Sequence, residues 1–136
     1  MDNRIIVIDD EQDFLDSVKR GLIMSGFRHV QMEIDPRKGA ARFAQGEVFD
    51  IALIDVTMPF INGVGLLELI KKTSPNTECI MATAMNDAKV AVQCMKKGAY
   101  DYLIKPISRD ELVLAIKSAL ENKRHRTREK EKLPKN

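Results

Sequence analysis

The stretch RIIVIDDEQDF, residues 4–14, decides how the whole chain is read. Its apolar run IIVI at 5–8 lacks the alternation of a strand with one wet face, so it predicts a strand buried on both faces. The run ends abruptly at Asp9, Asp10 and Glu11. Taken alone, Asp9 or Asp10 reads as a cap for a following helix, because aspartate accepts hydrogen bonds from the free N–H groups of a first turn. Whether three adjacent acids at the end of a core strand mean more depends on what surrounds them in the fold.

Working outward, further apolar strand-like runs occur at 29–33, 51–54, 78–82 and 100–104. Between them, apolar residues recur at threes and fours. Phe14, Leu15, Val18, Leu22 and Ile23 form one helical stripe, and Leu66, Leu67, Leu69 and Ile70 form another. Val90, Ala91, Cys94 and Met95 make a shorter one, and Leu112, Val113, Ile116 and Leu120 close the series. The segment 37–45 is weaker, with Ala40, Ala41, Phe43 and Ala44. The pattern is (βα) five times. It predicts an α/β fold, a doubly wound parallel five-stranded sheet with right-handed crossovers and helices on both faces. Ligands of such sheets bind beyond the carboxyl ends of the strands, where the winding reverses. The acids after the first strand therefore fall where a site belongs.

Length and composition bound the function. At 136 residues the chain can bury a substantial core but has no room for a second catalytic domain. Its 44% hydrophobic and 31% charged residues suit a soluble globular protein, and no apolar run nears the roughly 20 residues of a membrane span. Residues 1–4 lack the basic, apolar and small-residue regions of a secretory signal. Cys79 and Cys94 have no CxxC spacing and no histidine pair nearby, which predicts reduced thiols and a cytoplasmic location.

The net charge of +2 hides an asymmetry. Residues 123–136 hold seven Lys or Arg and two Glu, a net +5, while the other 122 residues stand at −3. This tail has no interleaved aromatics and no second recognition helix accompanies it. It is expected to be a solvated extension of the last helix, ended by Pro134, and not a nucleic-acid-binding arm.

The other strand ends turn the acids into a constellation. DIALID ends at Asp55, CIMAT ends at Thr83, and YDYLIKP ends at Lys105 followed by Pro106. In a doubly wound sheet these ends share one edge, so the predicted site holds Asp9, Asp10, Asp55, Thr83 and Lys105. At about 4 Å, each pair of like carboxylates costs roughly 1 to 4 kcal/mol between water-like and surface-like dielectric. Lys105 offsets part of this, and a divalent cation would offset more. Oxygen ligands without histidine or cysteine suit a hard, partly hydrated ion such as Mg²⁺. A carboxylate nucleophile, a metal, a hydroxyl and a fixed cation are also what phosphoryl transfer through an acyl phosphate requires.

The residues VIDDE (7–11), LIDVTMP (53–59) with NG (62–63), MATA (81–84) and GAYDYLIKP (98–106) resemble the receiver domains of two-component response regulators. The resemblance runs from residue 4 to about 122. It implies a flavodoxin-like fold of strand order 2-1-3-4-5, a receiver domain at 1–122 and a basic helical extension or linker at 123–136. By the same resemblance, Asp55 is the phosphoacceptor for a sensor histidine kinase. Asp9, Asp10, Asp55 and the backbone carbonyl of Thr57 bind Mg²⁺, Lys105 pairs with the phosphoryl group, and Thr83 moves to hydrogen-bond it. Small Ala84 leaves that group accessible, Tyr102 is the aromatic that follows Thr83 inward, and the Lys105–Pro106 bond is cis. The switched surface is the face of the fourth helix, fifth strand and fifth helix, used for homodimerisation or effector control. The stretch KKGAYDYLIKPIS looks most like receivers of enhancer-binding transcriptional activators, which implies an output domain that is not in this sequence.

Three positions depart from the common pattern. Asn62 stands where an aspartate is usual, and Thr57 and Met85 stand where fast self-dephosphorylating members carry amide or acid groups. Neither residue positions water well, so a long-lived acyl phosphate is expected. On this reading the chain is not a turnover enzyme and catalyses only its own phosphoryl transfer and dephosphorylation. A haloacid-dehalogenase-like phosphatase also uses an Asp nucleophile, Mg²⁺ and Lys, but that class places an acid where Thr57 stands and carries a cap-like insertion. A flavin binder would need a Ser/Thr-rich phosphate cradle and flanking aromatics, which the strand-end loops lack.

Overall fold

The structure, a computed structural model, describes residues 1–132. Strands and helices alternate as β1 (Arg4–Ile8), α1 (Gln12–Met24), β2 (His29–Glu33), α2 (Pro36–Ala44), β3 (Ile51–Ile54), α3 (Gly63–Thr73), β4 (Glu78–Thr83), α4 (Ala88–Lys96), β5 (Asp101–Ile104) and α5 (Arg109–Lys132). Every pairing is parallel and the sheet order is β2-β1-β3-β4-β5. This is the expected flavodoxin-like arrangement, with the winding reversing between β1 and β3.

Period-two alternation sends neighbouring side chains to opposite layers. Ile5, Val7, Ile51, Leu53 and Ile80 pack with Leu15, Val18 and Leu22 of α1 and with Leu112, Ile116 and Ala119 of α5. Ile6, Ile8, Ala52, Ile54 and Met81 pack with Phe43 of α2, Leu66, Leu67 and Ile70 of α3, and Cys94 of α4. Both layers are dry, so all of 5–8 and 51–54 is buried and the sequence there cannot alternate. Each fully buried Ile or Leu contributes roughly 1.5–3 kcal/mol. The edge strands β2 and β5 are mostly half-buried, which explains their more polar sequences.

Local signals set the helix starts. Asp35 caps α2 by accepting from the Arg37 N–H at 2.9 Å, and Pro36 occupies the first turn. The weakly patterned segment expected at 37–45 is therefore a helix beginning at Pro36. Asn62 caps α3 by accepting from the Val64 N–H at 2.8 Å. At α1 the cap position is Glu11, and no side chain bonds the first turn. Neither Asp9 nor Asp10 caps that helix. β4 ends at Thr83, as expected from CIMAT, and β5 begins at Asp101, one residue after the expected Tyr100.

α5 continues unbroken past the end of its apolar stripe. Ile116, Ala119, Lys123 and Arg126 recur at spacings of three, four and three, so the two cations stay on the face that packs against the sheet. Lys123 Nζ lies 2.6 Å from Asp50 Oδ1, and Arg126 is ion-paired with Glu78. Asp50 precedes β3 and Glu78 opens β4, so both acids lie at the amino edge of the sheet. From Lys123 to Lys132 the basic segment continues the last helix, and two of its cations are anchored and not simply solvated. The stop expected at Pro134 lies outside the described residues. Among the described residues, no helix is long and apolar enough to cross a membrane.

Candidate functional site

The ladder hydrogen bonds that finish the strands also place the site. Just past β1, the Asp9 N–H donates to Glu33 O at 3.1 Å; just past β3, the Asp55 N–H donates to Ile8 O at 3.1 Å. Beyond β5 the Lys105 N–H donates to Thr83 O at 2.9 Å. Asp9, Asp55, Thr83 and Lys105 are therefore brought to one edge by backbone pairing alone. The Lys105–Pro106 bond is cis.

At the centre stands the Lys105 ammonium. Its Nζ is 2.8 Å from Asp9 Oδ2, 2.9 Å from Glu11 Oε1 and 3.5 Å from Asp55 Oδ2, and it sits 4.1 Å from the centroid of the Phe14 ring. The side chains of Asp9, Asp55 and Lys105 are 1%, 5% and 10% exposed, whereas that of Glu11 is 59% exposed. Asp9 Oδ1 also accepts from the Glu11 N–H at 2.9 Å, and Asp55 Oδ1 accepts from the Thr57 N–H at 3.2 Å. Burial pushes the Asp9 carboxyl up to about 6, against the opposing hydrogen bonds of Lys105 and the Glu11 N–H. For Lys105, burial acts to lower the pKa, but the hydrogen bonds to Asp9 and Glu11 outweigh it and hold the ammonium above its ordinary value.

Thr83 is buried, and its Oγ1 accepts from the Met85 N–H at 3.2 Å. Half-buried Tyr102 donates from its hydroxyl to Met85 O at 2.7 Å, and its ring packs on the layer formed by α2, α3 and α4. Thr57 and Met85 line one shallow groove of about 280 Å³ beside the acids, together with Asn62 and Val90. Thr57, Asp10 and Ala84 are exposed.

One ammonium against three carboxylates leaves the cluster short of positive charge. Carboxylate oxygens of Asp9, Glu11 and Asp55 all lie within 4.8 Å of one another, and the group could hold a metal ion. An all-oxygen donor set with under-neutralised charge fits a hard divalent cation. The structure gathers Asp9 and Asp55 as expected, but the third acid in this group is Glu11, whereas Asp10 faces solvent.

Sequence reasoning also missed what Gly63 does. A Cβ on Gly63 would lie 2.0 Å from the Asp55 carbonyl oxygen and 2.7 Å from Val56 Cα, and its N–H donates to Val56 O at 2.8 Å. Only glycine lets the start of α3 press against the backbone that carries Asp55. The NG pair showed a turn; nothing in it showed the close approach. On the same loop, Phe60 has φ 71, is 73% exposed and lies 3.7 Å under the Arg37 guanidinium.

Fold and site together define a doubly wound α/β domain whose strand ends present acids around a fixed lysine. The chain belongs to the response regulator receiver domain family, whose profile matches residues 5–117. Among its relatives, the regulatory protein AtoC of Escherichia coli (strain K12) is 31% identical over 119 residues, covering 88% of this chain and 25% of that protein. A CheY-like receiver domain protein from Methanospirillum hungatei JF-1 superposes with a TM-score of 0.87 at 30% identity, covering 93% of this chain and 99% of that one. The beryllofluoride-activated NtrC4 receiver domain dimer gives a TM-score of 0.82 at 32% identity, covering 88% and 98%. The chain spans about a quarter to a half of the length of the first curated relatives it matches.

Proposed function

We propose that Asp55 is the phosphoacceptor of a cytoplasmic two-component system. The observation that carries this reading is a nearly buried Asp55 carboxylate 3.5 Å from the Lys105 ammonium, with Asp9 beside it at the point where the winding reverses. An Asp55 carboxylate oxygen attacks phosphorus of a phosphohistidine on a sensor histidine kinase. The new P–O bond makes an acyl phosphate as the P–N bond breaks, and the imidazole leaves with the electron pair. Lys105 neutralises charge on the phosphoryl oxygens as they arrive, and its fixed position makes the transfer largely a matter of placement. Asp9, Asp55 and the Thr57 carbonyl, with Asp10 turning in from solvent, would hold Mg²⁺, which when bound offsets phosphoryl charge.

Thr83 then turns its hydroxyl from the Met85 N–H toward the phosphoryl group, and Tyr102 gives up Met85 O to follow. The face of α4, β5 and α5 changes with them, for dimerisation or effector control in transcription regulation, by a shift between two states that bind phosphate differently. Residues 1–122 form the receiver and 123–136 the basic extension toward an output domain. The domain itself binds neither nucleic acid nor membrane and performs no turnover beyond its own phosphoryl transfer and hydrolysis.

Intact mass after incubation with acetyl phosphate and Mg²⁺ tests this. One added phosphoryl group on the wild-type chain and none on Asp55→Asn is the expected result. Addition to both would move the acceptor elsewhere, and steady release of phosphate from generic esters would favour a phosphatase.

A further inference from the structure

We propose that Glu11 gates Lys105, occupying one donor of the ammonium until a phosphoryl group displaces it. The inference rests on Asp55 being the phosphoacceptor. An ammonium has three N–H donors, and here three carboxylates stand within 3.5 Å to take them. A phosphoryl oxygen on Asp55 can bond Lys105 only if one of these contacts opens.

The three are not equally able to yield. Asp9 is buried and fixed at both oxygens, by Lys105 at 2.8 Å and by the Glu11 N–H at 2.9 Å. Asp55 is the group being modified. The Glu11 side chain is 59% exposed, and it can swing into water without leaving a charge in the interior. It also has no competing duty, since Glu11 stands at the cap position of α1 without making a side-chain cap bond. Its backbone N–H, which does orient Asp9, is retained in Glu11→Gln. Glu11 is thus a positioning residue, holding Lys105 ready above Asp55 and competing with the phosphoryl group for it.

An exposed ion pair of this kind is weak, so the expected effect is modest, about two- to fivefold. The experiment measures two quantities at saturating Mg²⁺: the phosphorylation rate with acetyl phosphate and the affinity for beryllofluoride by NMR titration. It compares wild type, Glu11→Gln and Asp13→Asn. Asp13 is an exposed acid in the first turn of α1 outside the Lys105 contacts, so its variant removes the same charge without opening the gate. Faster phosphorylation and tighter beryllofluoride binding in Glu11→Gln, with Asp13→Asn close to wild type, is the expected result.

Equal gains in both variants would reduce the effect to net charge and overturn the gate. Unchanged or slower phosphorylation in Glu11→Gln would overturn it too, the slower case assigning Glu11 to metal binding. A wild-type chain that takes no phosphoryl group would instead remove the phosphoacceptor reading, and the gate with it.

Discussion

Gly63 and Asp9 show how tightly single residues are held here. Gly63→Ala would place a methyl carbon against the Asp55 carbonyl oxygen at 2.0 Å, a contact only backbone movement can relieve. A loss of about 3 kcal/mol in urea unfolding is expected, with slower phosphorylation because the displaced backbone carries Asp55. Asp9 predicts a pH dependence. Its folded pKa of about 6 lies above the ordinary 3.8, so the folded state binds this proton more tightly than the unfolded chain does. Without divalent cations, the Asp9 contribution is fully present below about pH 4 and is lost as pH rises to about 6, amounting to about 3 kcal/mol. Stability measured across that window should fall more steeply with rising pH in wild type than in Asp9→Asn. Around the groove, neither Thr57 nor Met85 offers an acid or amide to orient water. The acyl phosphate should persist for many minutes, and Met85→Glu should shorten its lifetime several-fold in a phosphate-release assay. Asp55, Thr83 and Lys105 were legible in the sequence because each ends an apolar strand. Glu11 was not, because which of three consecutive acids reach the Lys105 ammonium is decided by the bend after β1, and all three look alike as letters.

Among the elements, α5 is legible in the sequence as a helix and only in part as a surface. Its apolar stripe stops at Leu120, and periodicity has nothing further to report in a segment of charges. The stripe in fact goes on as Lys123 and Arg126, and the partners that give them meaning, Asp50 and Glu78, lie far away in sequence at the starts of two strands. Glu78 is only 2% exposed, and a buried carboxylate left without its cation is costly. Arg126→Ala should therefore destabilise by about 3 kcal/mol, whereas Lys123→Ala, whose partner Asp50 also receives the Arg4 N–H at 2.7 Å, should cost about 1 kcal/mol. Urea midpoints of the two variants check this, and equal losses would contradict the ranking. The weak reading of α2 has a different origin. Its evident signal was the Asp35–Pro36 pair at the start and not the spacing of its alanines.

For the molecule as a whole, the fold was legible because five short strands alternating with amphipathic helices admit few arrangements, and parallel pairing sends all carboxyl ends to one edge. What sequence could not supply was the charge balance at the two edges of the sheet. The candidate site lies at the carboxyl edge around Lys105, and the anchored pairs of α5 lie at the amino edge. β4 joins them, with Thr83 at one end and Glu78 at the other, and all six of its residues are buried. At about 3.3 Å per residue the strand is roughly 20 Å long.

That anchoring gives α5 the character of a lever with a fixed fulcrum. Its 24 residues span roughly 36 Å, and the pairs at Lys123 and Arg126 pin the helix where it passes the bottom of the sheet. From Arg126 to Lys132 the helix projects about 9 Å further. The heading of α5 as it leaves the sheet is thereby set by Asp50 and Glu78, at the far edge from the carboxylates around Lys105.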